Sequence, residues 1–199
     1  MTGKKKLILA STSPYREKLL SRLRIPFESC APAVDEEVFK ARLSTPAELV
    51  RALAAEKARS LMARFPKASI IGADQAAEID GHLLGKPGSV EAACAQLELL
   101  SGRTHRLWTA VAVADSERGR LEEALEVVEL RMRILSPQEI RRYVTLDQPL
   151  DCAGAYRFEG LGAALFEGVS ASDPTAIEGL PLLRLCELLR RIGISPLED

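Results

Sequence analysis

The sequence predicts an α/β fold, a mixed twisted sheet flanked by helices and arranged in two lobes with a cleft between them. Three observations predict it. Short apolar runs such as Lys6–Ala10 and Ser69–Ala73 read as buried strands. Longer segments with apolar residues at helical spacing follow them, opened by capping signals. The two kinds of segment mix without strict βαβ alternation.

In chain order, Lys6–Ala10 is the first strand, and Pro14 opens a helix to about Leu23 with Leu19, Leu20 and Leu23 inward. Phe27–Ala31 is a short second strand. Thr45-Pro46-Ala47-Glu48 is a capping box whose helix is expected to reach Phe65. Ser69–Ala73 is a buried strand ending at Asp74, and Asp80-Gly81 is a hairpin turn between Ala77–Ile79 and His82–Leu84. Ser89–Leu100 is a helix and Leu107–Ala114 a strand. Val128, Leu130, Met132 and Ile134 alternate with charged residues, as in a strand with one wet face. Ser136-Pro137-Gln138-Glu139 opens a short helix, Cys152–Val169 is loop and strand, and Leu182–Ile192 is a last helix stopped by Gly193.

With 199 residues and 47% hydrophobic side chains, the chain can bury a substantial core. Its 27 basic and 28 acidic side chains nearly cancel, which excludes the footprint of a nucleic-acid binder. A local cluster of Lys and Arg can still hold a small anion. Cys30, Cys94, Cys152 and Cys186 match no zinc framework and read as reduced, mostly buried thiols of a cytosolic protein. The basic segment Met1–Lys6 precedes too few apolar residues for a signal peptide, and no run has membrane-spanning length. The expectation is a soluble, cytoplasmic protein without nucleic-acid or membrane partners. His82 and His105 read as surface or turn residues, too few for a His-rich metal site. Gly81–Pro87 has the wrong spacing for a P-loop, with proline in place of the hydroxyl residue.

Five segments carry candidate chemistry. In Leu9–Arg16 a strand ends, Ser11, Thr12 and Ser13 follow, and a helix begins. Amides at such a junction suit phosphate, and Arg16 could clamp its oxygens. An ordinary cap by Ser13 with Arg16 in solvent fits equally well. Asp74 closes an apolar strand where α/β proteins place ligand contacts, or it merely caps a turn. Glu36 is a second carboxylate beyond a strand, and alone reads as a solvated acid. Lys57 lies inside a helix, where a lysine is usually exposed. Lys86 sits between Gly85 and Pro87, a stiff setting that suggests positioning. Together these groups suit metal-assisted phosphoryl chemistry: carboxylates for a hard cation and a water, cations for phosphate charge.

Eight segments in order resemble the Maf family of nucleotide pyrophosphatases: Leu9–Arg16, Val34–Glu36, Glu56–Ala58, Gly72–Gln75, Gly85–Pro87, Ser101–His105, Cys152–Tyr156 and Glu178–Pro181. The resemblance runs from Leu7 to about Leu189. It implies one domain over residues 1–199, elongated and two-lobed with a central nucleotide-binding cleft. It implies cleavage of a nucleoside triphosphate to monophosphate and pyrophosphate with Mg²⁺ or Mn²⁺. Asp74, Glu36, Lys57 and Lys86 are then catalytic, with Glu36 and Asp74 on the cation. Ser11, Ser13 and Arg16 bind phosphate. Asp74-Gln75, Tyr15 and Glu159-Gly160 resemble the branch that acts on 7-methyl-GTP. Tyr15 would stack on the cationic base, while Glu159 and Gln75 would bond its edge. The chain departs from that branch at Ala73, where serine is frequent, and at Tyr15, where tryptophan is familiar. The alternatives are the dTTP/UTP branch and a nucleotide-binding cell-division regulator with little turnover. A homodimer is compatible with either.

Overall fold

The structure is a computed structural model describing residues 5–198; the first four residues of the basic segment Met1–Lys6 lie outside that range. The expected α/β class holds, with a mixed sheet flanked by helices. A seven-stranded mixed sheet runs in the order β2 (Glu28–Cys30), β1 (Lys6–Ala10), β3 (Ala68–Ile79), β5 (Thr104–Asp115), β6 (Arg120–Met132) and β7 (Phe166–Ser170), with β4 (His82–Leu84) paired to β3.

Contacts divide the chain into two compact units. The first takes the chain up to Asp74, then Thr109–Glu126, then everything from Asp173. It begins with β1 (Lys6–Ala10), whose Leu7 to Ala10 are at most 1% exposed. Such burial on both faces marks a central parallel strand. β1 pairs in parallel with β2 (Glu28–Cys30) on one side and with β3 (Ala68–Ile79) on the other. Helix α1 (Pro14–Ser21) follows β1 and buries Leu19 and Leu20. Helices α2 (Glu36–Lys40) and α3 (Pro46–Arg59) precede β3. The closing helix α6 (Leu182–Arg191) packs Leu182, Leu185, Leu188 and Leu189 into a core with Leu7, Leu9, Leu19, Ile71 and Val111.

Helix α3 ends at Arg59, six residues short of the expected Phe65. Ser60 Oγ bonds the Lys57 carbonyl at 2.8 Å, and Pro66 disfavours helical backbone at Phe65. β3 does not end at Asp74 but runs on for five residues to Ile79. Its pairing with β1 stops at Ile71, and the hairpin with β4 (His82–Leu84) takes over at Ala77. Asp74 thus stands past the end of one ladder, within a continuous strand.

The second unit comprises Gln75–Trp108 and Val127–Ser172. It holds that hairpin and helix α4 (Val90–Leu100), capped by Ser89. It also holds the Gln75-to-Ile79 part of β3 and one end each of β5 (Thr104–Asp115) and β6 (Arg120–Met132). Helix α5 (Pro137–Asp147) opens with the expected capping box. β7 (Phe166–Ser170) pairs antiparallel with β6. Ile134, expected to face inward, is 83% exposed because β6 ends at Met132.

Two side-chain expectations are corrected. His105 is no surface residue: it is 2% exposed, its Nε2 is 2.8 Å from the Tyr156 hydroxyl, and its ring meets Tyr156 edge-on. An apolar strand position drew it inward. The four cysteines are free but only part-buried. No helix among the described residues is long and apolar enough to cross a membrane.

Candidate active site

Register places the candidate residues before any side chain is considered. Leu9 of β1 pairs in parallel with Ile71 of β3. Ser11 lies two residues beyond the first and Asp74 three beyond the second, so both stand just past the carboxyl edge of the β1–β3 ladder. β2 and β3 flank β1 on opposite sides. In α/β proteins ligands bind at such a reversal of strand order, beyond the strands' carboxyl ends.

Gly72 brings α3 to that edge. A Cβ built on Gly72 would lie 2.1 Å from the Ala54 carbonyl oxygen and 2.7 Å from the Ala58 nitrogen. Only a residue with no side chain lets helix backbone approach the strand this closely. Ala54 and Ala58 are themselves buried and small. Lys57, beside Ala58, is thereby carried to Asp74, which shares Gly72's strand face two residues on.

Lys57 is 6% exposed. Its Nζ lies 2.7 Å from Asp74 Oδ1 and 2.7 Å from Glu36 Oε1. One ammonium therefore joins the two candidate carboxylates. Glu36 is delivered by the first turn of α2, which Asp35 caps through the Glu37 amide at 3.1 Å. A buried lysine with two carboxylate partners is the opposite of the exposed lysine that helix position alone suggests. Burial lifts the Asp74 carboxyl above its ordinary value, against the pull of Lys57 and Arg16. A raised pKa makes the ionised carboxylate a stronger base.

Arg16 donates from Nε to the Gly179 carbonyl at 3.0 Å. Desolvation lowers its basicity, while Asp74 and Glu36 work in the opposite direction. The bond uses Nε, so the two terminal nitrogens remain for a bidentate anion contact. Arg16 is half-buried and lies within electrostatic reach of both carboxylates.

At the start of α1, the Ser11 amide donates to Leu9 O at 2.9 Å and the Ser13 amide to Ser11 Oγ at 3.1 Å. Ser13 Oγ accepts from the Arg16 amide at a long 3.5 Å. These local bonds use two of the amides expected to face phosphate. Tyr15 is half-buried on the same helix.

Ser11, Ser13, Tyr15, Arg16, Glu36, Lys57 and Asp74 all belong to the first unit. Gln75, Lys86 and Glu159 belong to the second, where Gln75 is half-buried and Lys86 and Glu159 are exposed.

One contributor escaped the sequence reading. The Glu178–Pro181 segment carried no assigned role, yet Gly179 supplies Arg16's partner. Its loop is fastened by Asp173, which is fully buried. Asp173 accepts from the Thr175 amide at 3.2 Å and hydroxyl at 2.6 Å, and from the Leu183 amide at 2.7 Å. One carboxylate thus ties both ends of the loop. The signal was present in the glycine followed by Leu180 and Pro181, a helix-ending turn.

Among the described residues no group of three or more His, Cys, Asp and Glu forms a metal cage. Mg²⁺ does not require one, since it commonly takes one or two carboxylates with phosphate oxygens and water. Glu36 and Asp74, two hard carboxylates gathered on one cationic group, fit that pattern.

The profile of the family described as "Maf-like protein" matches residues 6–192. The chain is 47% identical over 190 residues to the "7-methyl-GTP pyrophosphatase" of Xanthomonas campestris pv. campestris strain 8004, covering 96% of this chain and 97% of that protein. It is also 47% identical over 193 residues to the protein of the same name from Albidiferax ferrireducens, covering 97% and 96%. A third of that name, from Polaromonas sp. strain JS666, is 45% identical over 193 residues, covering 97% and 87%.

Proposed function

The chain belongs to the Maf family, and from that premise we propose that it cleaves 7-methyl-GTP to 7-methyl-GMP and pyrophosphate. The observation that carries the chemistry is the buried Asp74, held by Lys57 and approached by Arg16. The branch is supported by the names of the three relatives and by Asp74-Gln75, Tyr15 and Glu159.

Charge balance supports a triphosphate with a cation. Glu36 and Asp74 offset Lys57 and Arg16, so the group is near neutral before substrate arrives. A triphosphate adds roughly four negative charges, and phosphoryl-transfer sites neutralise such charge with cations and metal. Glu36 and Asp74 would hold a divalent cation, which would supply that neutralisation and acidify water. Asp74 takes a proton from the attacking water. The water oxygen bonds to the α-phosphorus as the bridging bond to the β-phosphate breaks, and pyrophosphate leaves with the electron pair. Arg16 and Lys57 absorb phosphate charge, with Lys86 supplying more from its stiff loop. The family resemblance assigns Tyr15, Gln75 and Glu159 to the base.

The test is pyrophosphate release from 7-methyl-GTP, GTP, dTTP and UTP, with and without Mg²⁺ or Mn²⁺. The proposal expects the highest kcat/KM on 7-methyl-GTP, only with metal. Faster turnover of dTTP or UTP overturns the substrate. Tight nucleotide binding without turnover overturns the enzyme reading in favour of a regulator.

A further inference from the structure

We infer that Lys57 guards the carboxylate pair, so that a divalent cation enters only together with the nucleotide's phosphates. The inference rests on the metal-assisted reading above. Lys57 Nζ lies 2.7 Å from an oxygen of Glu36 and 2.7 Å from an oxygen of Asp74. The ammonium therefore stands against both carboxylates that would hold the cation. A free metal ion approaching those oxygens meets a positive charge already bound to them.

The lysine cannot step aside at little cost. Its side chain is 8% exposed, on a helix locked against the strand at Gly72. Away from the carboxylates it would be a buried charge without a partner, which is strongly unfavourable. A triphosphate changes this. Its anionic oxygens can take over the ammonium, and the carboxylate oxygens are released to the cation in the same event. Lys57 is thus a positioning residue for the metal in the free enzyme and a phosphate contact in the complex. The guard keeps free metal off the acids and gives the site to the metal–nucleotide pair.

Lys40 provides an internal control. It feels the same two carboxylates through space, but its ammonium bonds Glu37 at 2.7 Å on the exposed face of α2. Removing Lys40 subtracts the same charge and leaves Lys57 in place.

The experiment measures Mn²⁺ affinity by calorimetry or electron paramagnetic resonance for wild type, Lys57→Met and Lys40→Met. Each is measured alone and with the α,β-methylene analogue of 7-methyl-GTP. Without nucleotide, Lys57→Met should bind Mn²⁺ about ten-fold or more tighter than wild type. Lys40→Met should stay within about two-fold, as expected of an exposed charge. With the analogue, wild type should bind Mn²⁺ tightly. If Lys57→Met does not fold, Lys57→Gln and the Mn²⁺-induced rise in Tm replace the isotherm, and the variant should gain more than wild type. Wild type binding Mn²⁺ alone as tightly as the Lys57 variant overturns the guard and leaves the metal reading intact. An equal gain in Lys40→Met also overturns it, because the effect would be general charge. Failure of every protein to bind Mn²⁺ even with the analogue overturns both the guard and the metal reading.

Discussion

Arg16 and Gly179, 163 positions apart, are joined by a 3.0 Å bond from the guanidinium Nε to the carbonyl oxygen. Gly179 adopts φ of 97°, a backbone setting that L side chains resist. The loop that presents this carbonyl is anchored by the buried Asp173, and Arg22 bonds Glu178 within it. The Arg16 guanidinium is therefore aimed by backbone from the far end of the chain.

Gly179→Ala should cost roughly 1–3 kcal/mol of stability through strain, and it should turn the carbonyl away from Arg16. KM for the triphosphate is expected to rise more than kcat falls. Gly179→Asn should lose less on both counts, because asparagine tolerates left-handed backbone. Melts and steady-state kinetics on the two variants provide the check; equal losses in both would mean the conformation is not what matters.

Asp74→Asn keeps the shape of a buried side chain and removes its basicity. Turnover should fall on the order of 10²–10⁴-fold while the far-UV spectrum stays native. Near-normal kcat in the folded variant would take Asp74 out of proton transfer.

Gly72→Ala puts a methyl group against α3 backbone at contact distances of 2.1 and 2.7 Å. The helix must shift, and Lys57 shifts with it. Stability should drop by about 2–3 kcal/mol, the upper range for overpacking. The activity of the folded fraction should fall as well. Denaturant melts with kinetics below the midpoint separate the two effects, and unchanged activity would show that Lys57 does not depend on this contact.

His105 makes stability sensitive to acid. Burial depresses its pKa from 6.5 to about 4, partly opposed by Glu78. Its Nδ1 is buried with no partner, so a second ring proton would have nowhere to go. The unfolded chain takes up the proton near pH 6.5 and the folded chain does not. The contribution is thus fully present above pH 6.5 and is lost as pH falls toward 4. At 1.36 kcal/mol per unit, it amounts to about 3 kcal/mol. His105→Gln should flatten the decline of stability between pH 6.5 and 4, measured by urea unfolding. A decline of unchanged slope would assign the acid sensitivity to other groups.

If Tyr15 and Glu159 read a cationic base, each should matter more for 7-methyl-GTP than for GTP. The two nucleotides share every phosphate contact. A stacked aromatic favours a cationic ring by roughly 0.5–2 kcal/mol. Glu159→Gln and Tyr15→Ala should each narrow the ratio of the two kcat/KM values, Tyr15→Ala with a larger general loss. A ratio that Glu159→Gln leaves unchanged would mean another contact detects the methyl group.

The local part of this molecule was legible in its residues. Thr45–Glu48, Ser136–Glu139 and Asp80-Gly81 state their own backbone, because a cap or a tight turn depends on neighbours within four positions. The apolar runs at Leu7–Ala10 and Ile70–Ala73 marked central strands for the same reason. The candidate acids and cations were also legible, as residue types in segments resembling a known family.

What their side chains do was decided elsewhere. Lys57 looked like any helical lysine until Gly72 admitted its helix to the strand and two carboxylates met its ammonium. His105 looked like a surface residue until Tyr156, 51 positions later, closed over it. Arg16 could equally have faced water until Gly179 engaged it. The sequence alone determined most of the elements and which chemical groups are available, but did not announce α2, which delivers Glu36. Only the tertiary structure decided which of those groups share one desolvated space, because burial and long-range partners, which set the state of a charged side chain, exist only once distant segments have packed together.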